Sequence, residues 1–514
     1  MGCVFGGHHG RDKPTEQEDR EIRGFIANGK AQGDWFEPTG TADYPFQNLI
    51  FSGGGVKGYT YVGSCYALED SGVMKNIKRV AGTSAGAICA GLLAVGATAQ
   101  EIADVFKCDI KWLFHDQQCA CCCGLPKMLS SAYGVHPAKR FLKIYGEHIA
   151  AKVGNPDITF GELYEKYGRE LCIVVTNLTR MQSEYCHPKT TPDMPIRTAV
   201  RMSMSFPLVY KAMKYKVNGV ESLYTDGGVL DQYPIHCFDG PKLDLNVSCS
   251  EATDENENMD KSDDFSSLPF NDKSLGLYVV SEKALDYKIW KSLFEKELPC
   301  KPTYLPDTKL ARAKLKAELS NRKRSDKAFN KKEYLGDLKS GATLEDEMEA
   351  VNLDHYQIHN KSLVDIRSFP EYFVTTLETL LVSQRKLHIR VYIIHVVINT
   401  EQLDPFTFAT AINLHECCFT FLHPCDADRT VAINCGYIAT NDYDIEPGDR
   451  EFMIRQGYAH TMRFLQEHIH RTTDGPHPPL RRTRTEPANL SNGHFGNGLR
   501  RTTSEIPNTA ESEM

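Results

Sequence analysis

Several things are missing from this 514-residue chain, and each omission narrows what it can be. No run approaches the roughly 18 uninterrupted apolar residues of a membrane-spanning helix, and no secretory leader is read at the N-terminus. Positive charge is not in excess: 59 Lys and Arg stand against 67 Asp and Glu, a net charge of −8, which argues against general nucleic-acid binding. No Asp-x-Asp-x-Asp-Gly loop of the calcium-binding kind occurs. Cysteine is plentiful at 17, but the number is odd and most sit singly in apolar segments such as Gly63-Ser-Cys65 and Leu171-Cys-Ile173. That usage fits reduced thiols of the cytosol better than a disulfide framework.

What is present is concentrated between Leu49 and Leu93. Ser52-Gly53-Gly54-Gly55-Val56-Lys57-Gly58 follows Asn48-Leu-Ile-Phe51, a buried-strand pattern, and leads into a helix over Tyr59 to Leu68. Gly82-Thr83-Ser84-Ala85-Gly86 follows a short strand at Arg79-Val80-Ala81 and opens a small-residue helix over Ala87 to Val95. Gly-x-Ser-x-Gly is the pattern of a nucleophile elbow, a turn sharp enough to leave the serine oxygen exposed, with helix N–H groups aimed at it. Three successive glycines after another strand let backbone N–H groups approach a ligand closely, as an oxyanion hole requires. Either pattern alone also serves as a plain strand–helix connector. A P-loop is excluded, because Lys57 precedes the last glycine of its turn where a nucleotide site needs lysine after it.

A third piece, Asp226-Gly-Gly228, follows the strand-like Ser222-Leu-Tyr-Thr225. With it the chain resembles the patatin-like phospholipase family, over roughly Phe46 to Leu465. The matching motifs are Gly53-Gly-Gly-Val-Lys-Gly58, Gly82-Thr-Ser-Ala-Gly86, Met202-Ser-Met-Ser-Phe-Pro207 and Asp226-Gly-Gly228. Asp442-Tyr-Asp-Ile-Glu446 and Arg455-Gln-Gly-Tyr458 look like the family's closing segment. Lys57 stands where the family often has arginine, so a cation is kept.

The resemblance implies a fold and a mechanism. The fold is an α/β/α sandwich with a mostly parallel central sheet, which the strand–helix alternation through Thr225 also suggests. The activity is a calcium-independent serine acyl hydrolase cleaving fatty-acyl esters of phospholipids without cofactor or metal. Ser84 is the nucleophile, Asp226 its base, and the oxyanion hole is built from Gly53, Gly54, Gly55, Gly58 and Ala85. The N–H groups of Gly54, Gly55 and Ala85 are the candidate donors. A free aspartate is a weak base at neutral pH, so burial has to raise its pKa. A Ser–Asp–His triad with His236 is the rival arrangement. Triacylglycerol or lysophospholipid is the alternative substrate, and a catalytically idle membrane scaffold the alternative function.

Around this core the chain divides into a flexible segment 1–44, a hydrolase domain 45–470 with a charged insert at about 251–350, and a disordered basic Ser/Thr/Pro tail 471–514. Gly2 and Cys3 are acylation candidates, read against a plain disordered terminus. The expected location is cytoplasmic with peripheral membrane association, which two acyl chains would hold stably where one would not. Thr98 to Phe114 reads as one helix leading into Cys119-Ala-Cys-Cys-Cys123, a partly apolar loop rather than a metal site, since no second Cys-x-x-Cys follows. The acidic run Glu251 to Asp264 precedes a basic run, Lys309 to Lys332, with ten Lys or Arg against two acids. The basic run is either a solvated helix or a surface for anionic lipid. Ser274 to Ser281, Arg390 to Ile398 and Thr430 to Asn434 read as strands, and Pro370 onward and Asp449 to His468 as helices. In the tail, Arg482-Thr-Arg-Thr-Glu-Pro487 and Arg501-Thr-Thr-Ser-Glu-Ile-Pro507 suit a phospho-dependent partner. Nucleic acid is not expected as a partner.

Overall fold

The structure is a computed structural model that describes residues 44–107, 109–116, 134–180, 182–246, 270–281 and 422–473, with shorter pieces at 290–291, 302 and 305–325. Gly2, Cys3, the Cys119–Cys123 cluster, the acidic run, the helix from Pro370, the strand at Arg390 to Ile398 and the tail beyond 473 lie outside the described residues.

The chain opens with β1 (Asn48–Phe51), a helical turn (Gly55–Tyr59), α1 (Thr60–Asp70), β2 (Arg79–Thr83) and α2 (Ala85–Ala94). Then come α3 (Ala99–Lys107), α4 (Ile110–Phe114), β3 (Gly134–His136), α5 (Lys139–Val153) and α6 (Phe160–Tyr167). The middle holds β4 (Glu170–Asn177), β5 (Gln182–Cys186), α7 (Ile196–Ser203), β6 (Leu208–Tyr210), β7 (Met213–Val217) and β8 (Val220–Asp226). Last are β9 (Ser274–Val280), α8 (Lys309–Ser325), β10 (Thr430–Asn434) and α9 (Pro447–Thr473). The main sheet runs β10-β9-β1-β2-β4-β8-β7, with β5 also on β4, and is parallel from β10 through β4. The fold is therefore a mostly parallel sheet flanked by helices.

Burial on both faces explains why the central strands carry almost no polar residues. Leu49, Phe51, Leu275, Leu277, Val279, Leu171 and Ile173 point into one core, and Ile50, Tyr278, Val280, Cys172 and Val174 into the other. Fully burying each such aliphatic or aromatic side chain contributes about 1.5–3 kcal/mol. In the larger core α1 lies beneath α9 so closely that side chains are excluded at two crossing points. A Cβ on Gly63 would stand 1.8 Å from Ile454 O, and one on Gly457 1.8 Å from Thr60 O. The long final helix is thus locked onto the helix that follows the first glycine loop.

Two local readings of the sequence are corrected. The periodic stretch from Thr98 to Phe114 is not one helix: Asp109 accepts a hydrogen bond from Trp112 N–H at 3.1 Å and caps a separate short α4. The chain before Asp226 is also not a further strand–helix–strand crossover. It is an antiparallel β7–β8 hairpin turning at Asn218-Gly219, both at positive φ.

That hairpin decides how the site is assembled. A strand has only two edges. β5 pairs with β4 over Ile173–Asn177, overlapping both β2, which pairs with β4 as far as Val174, and β8, which pairs from Val175. β2 and β8 must therefore share the other edge of β4, meeting end to end. Thr83 is opposite Val174 and Asp226 opposite Val175, so the two carboxyl-terminal strand ends abut.

Candidate active site

Ser84 sits where β2 stops and α2 begins, at φ 53 and ψ −118, a backbone conformation that L-residues rarely occupy. The turn tolerates no bulk beside it: a Cβ on Gly86 would lie 2.6 Å from both Phe51 O and Ser52 O. The strain is held by Ser203, whose hydroxyl accepts the Ser84 N–H at 2.9 Å and donates to Val174 O at 2.6 Å. Two residues on, Ser205 O accepts the Asp226 N–H at 3.1 Å and the Thr225 hydroxyl at 2.6 Å. The Met202–Pro207 block therefore fixes both partners through one short turn, a role that its small residues alone did not reveal.

The Ser84 hydroxyl donates to Asp226 Oδ2 at 2.7 Å, and the Gly228 N–H donates to Asp226 Oδ1 at 2.8 Å. Asp226 is buried, 3% exposed. Burial pushes its carboxyl up to about 7, against the lowering effect of the Ser84 and Gly228 hydrogen bonds. A carboxylate titrating near 7 is matched to taking and returning a proton at neutral pH.

The glycine loop closes over the same end of the sheet. Gly55, at φ 55, has room for no side chain, because a Cβ would stand 2.3 Å from Thr440 O. The Val56 N–H donates to that same Thr440 O at 3.0 Å, so the chain just before Asp442 helps hold the loop. Gly53 is not an available oxyanion donor, because its N–H is already given to Gln232 O at 2.9 Å. Gly58 lies inside the helical turn and serves close packing instead, its Cα facing the Ala85 methyl. Among the described residues, no acceptor is found for the N–H groups of Gly54, Gly55 or Ala85. Lys57 is buried with its ammonium 3.5 Å from Val279 O.

His236 is held elsewhere. Its Nε2 is 3.0 Å from the Tyr185 hydroxyl and 3.7 Å from Asp231 Oδ2, in the smaller core, and among the described residues no histidine hydrogen-bonds to Ser84 or Asp226. Asp231, which the Tyr185 hydroxyl reaches at 2.9 Å, is pushed up to about 7 by burial. A ring cluster that the sequence reading did not single out borders the Asp226 side. Tyr210 and Tyr443 have hydroxyls 3.4 Å apart, and both phenols are raised by burial with a further push from Asp226. His115 stacks on His136 at 4.4 Å and lies 4.7 Å from Tyr443. Burial, with His136 and Lys111 nearby, lowers His115 to about 4. Among the described residues no group of three or more His, Cys, Asp or Glu could hold a metal ion, and no helix is long and apolar enough to cross a membrane.

An elbow serine, a buried carboxylate and a glycine loop thus lie together at the carboxyl end of a mostly parallel sheet, an arrangement like that of α/β hydrolase sites. Residues 49–239 match the family model of the patatin-like phospholipases, and the chain belongs to that family. It is 31% identical to the uncharacterized protein R571 of Acanthamoeba polyphaga mimivirus over 43% of this chain and 71% of that one. It is 28% identical to the probable lipid hydrolase 463L of Invertebrate iridescent virus 6, over 37% of this chain and 62% of the relative. The chain thus spans less than two thirds of that viral hydrolase. VipD from Legionella pneumophila superposes with a TM-score of 0.39 at 17% identity, covering 83% of this chain and 68% of that one, too loosely to carry an argument.

Proposed function

We propose that the protein is a serine lipid acyl hydrolase that cleaves fatty-acyl esters of phospholipids through a Ser84–Asp226 dyad. The observation that carries this reading is the 2.7 Å hydrogen bond from the Ser84 hydroxyl to a buried carboxylate raised to about 7. Asp226 takes the hydroxyl proton as Ser84 Oγ attacks the acyl carbonyl, and the oxyanion forms against the N–H groups of Gly54, Gly55 and Ala85. Each such donor is worth roughly 3 kcal/mol in the transition state. Collapse expels the glycerol oxygen, which leaves as an alcohol with the proton from Asp226. Water then attacks the acyl-enzyme carbonyl, gives one proton to Asp226, and Ser84 Oγ recovers that proton as the fatty acid departs. Every step runs through one hydroxyl, one carboxylate and backbone amides, so turnover is expected to persist in excess chelator.

The hydrolase unit of this reading spans 45–470 with the charged insert at about 251–350, preceded by a segment whose Gly2 and Cys3 anchor it and followed by a tail that takes a phospho-dependent partner. What supports a peripheral membrane site is the exposed Trp112 with Arg140 over its ring at 4.3 Å, and the basic helix α8 beside the closing segment. The test is a phospholipid panel with and without chelator, alongside fluorophosphonate labelling. The protein is expected to be labelled and to release fatty acid, and Ser84→Ala to do neither. A folded, unlabelled wild type would defeat the reading.

A further inference from the structure

The loop after Asp226 returns the chain to the site. Asp231 N–H and Leu230 N–H both bond to Gly227 O, at 2.9 and 3.2 Å, and the tight turn delivers Gln232 against the glycine loop, where its carbonyl takes the Gly53 N–H. The side chain goes the same way. A Cβ on Gly53 would stand 2.7 Å from both Gln232 Oε1 and Nε2. A Cβ on Gly228 would stand 2.1 Å from Gln232 Oε1 and 3.0 Å from Asp226 Oδ1, so one added methyl would touch both groups. The amide therefore lies against both Gly53 of the glycine loop and Gly228, the residue whose N–H holds Asp226 Oδ1. Gln232 is only half-buried, and its side chain hydrogen-bonds to none of the described residues. A primary amide has two donors and two acceptor positions, and in a half-buried side chain with no protein partner these are open to water.

We propose that Gln232 positions the water that hydrolyses the acyl-enzyme. This rests on the Ser84–Asp226 mechanism and assigns a residue to its second half. The attacking water has two hydrogens. One passes to Asp226 as the new C–O bond forms, and the other is accepted by Gln232 Oε1 and stays on the oxygen that becomes the fatty acid's hydroxyl. With both hydrogens directed, the lone pair faces the acyl carbon. Acylation needs no such water, so the two halves of the cycle depend differently on this side chain.

The experiment uses the full chain, a p-nitrophenyl acyl ester and a fluorophosphonate. Gln232→Met keeps the side-chain length against Gly53 and Gly228 and removes the hydrogen-bonding groups; Gln232→Ala removes both. Both variants are expected to give a rapid burst approaching one equivalent of p-nitrophenolate, then steady turnover about 10-fold slower than wild type. The acyl adduct on Ser84 should accumulate by intact-protein mass spectrometry, with fluorophosphonate labelling within about twofold of wild type. Burst and steady rates falling together would reduce Gln232 to loop packing and overturn the proposal, as would unchanged kinetics. A wild type that neither turns over ester nor takes the label would instead show that the dyad reading has failed, and this assignment with it.

Discussion

Replacing Asp226 by Asn separates function from stability in a way the geometry makes quantitative. In the folded protein the Asp226 carboxyl titrates at about 7, pushed up by burial, whereas a carboxyl in an unfolded chain titrates near 3.9. Between these values the native state holds a proton that the unfolded state has released. Stability therefore falls as pH rises across this window, at about 1.4 kcal/mol per unit, and levels off above pH 7. The full penalty of ionising Asp226 in place is about 4 kcal/mol. Asparagine escapes it but must present its NH2 to one of the two donors now met by carboxylate oxygens, the Ser84 hydroxyl or the Gly228 N–H. That mismatch costs about 1–3 kcal/mol and does not vary with pH. Urea unfolding at half-unit steps from pH 5.5 to 8.5 should show Asp226→Asn gaining on wild type by about 1.4 kcal/mol per unit up to pH 7, then holding constant. Asp231, also raised to about 7, is common to both proteins and cancels. Over the same range wild-type kcat/KM should rise to a plateau as the base ionises, and the variant should lose about 10²–10⁴-fold in activity. A stability difference that is flat or shrinks with pH would refute the claim that burial holds this carboxyl near neutrality.

Ser84→Gly and Ser84→Ala both lose the hydroxyl and the fluorophosphonate label, but only glycine relieves the backbone at φ 53, so Ser84→Gly should be about 1–2 kcal/mol more stable than Ser84→Ala; equal stability would mean the turn is unstrained. Ser203→Ala strips the Ser84 N–H and Val174 O of their shared hydroxyl and should cost about 1–3 kcal/mol in unfolding free energy, with kcat reduced more than KM is raised. His236→Ala should leave most activity in steady-state assays, since Nε2 is engaged by Tyr185; loss equal to that of Ser84→Ala would restore the triad. Gly457→Ala forces a methyl to 1.8 Å from Thr60 O and should lower the melting temperature sharply through the α1–α9 contact.

The sequence made the glycine turns legible because their requirements are local: a strand, a sharp turn and a helix start within about ten residues leave a pattern of small residues. The buried strands β1, β9 and β10 were legible for a similar reason, since burial on both faces leaves an apolar run. Other features were written between distant segments. That Gly53 gives its N–H to Gln232, or that Ser203 bridges β4 and the elbow, depends on chain returning from some 120 to 180 residues away. The hairpin before Asp226 had a local signal in Asn218-Gly219, but the preceding strand–helix rhythm outweighed it.

The hairpin has the larger consequence. Had β8 been laid parallel beside β4 at its own edge, Asp226 would have ended one strand spacing or more from the elbow, and a carboxylate is too short to cross that gap. Running β8 antiparallel and end-on to β2 puts a strand terminus, rather than a long side chain, in charge of the approach, so the carboxylate reaches Ser84 directly at 2.7 Å. In the proposed mechanism no imidazole stands between them. The same arrangement buries Asp226 at the meeting of two strands, which is what lifts its pKa toward neutrality. Proximity and basicity thus come from one structural cause, and a lesion at the β2–β4–β8 junction should disturb both together.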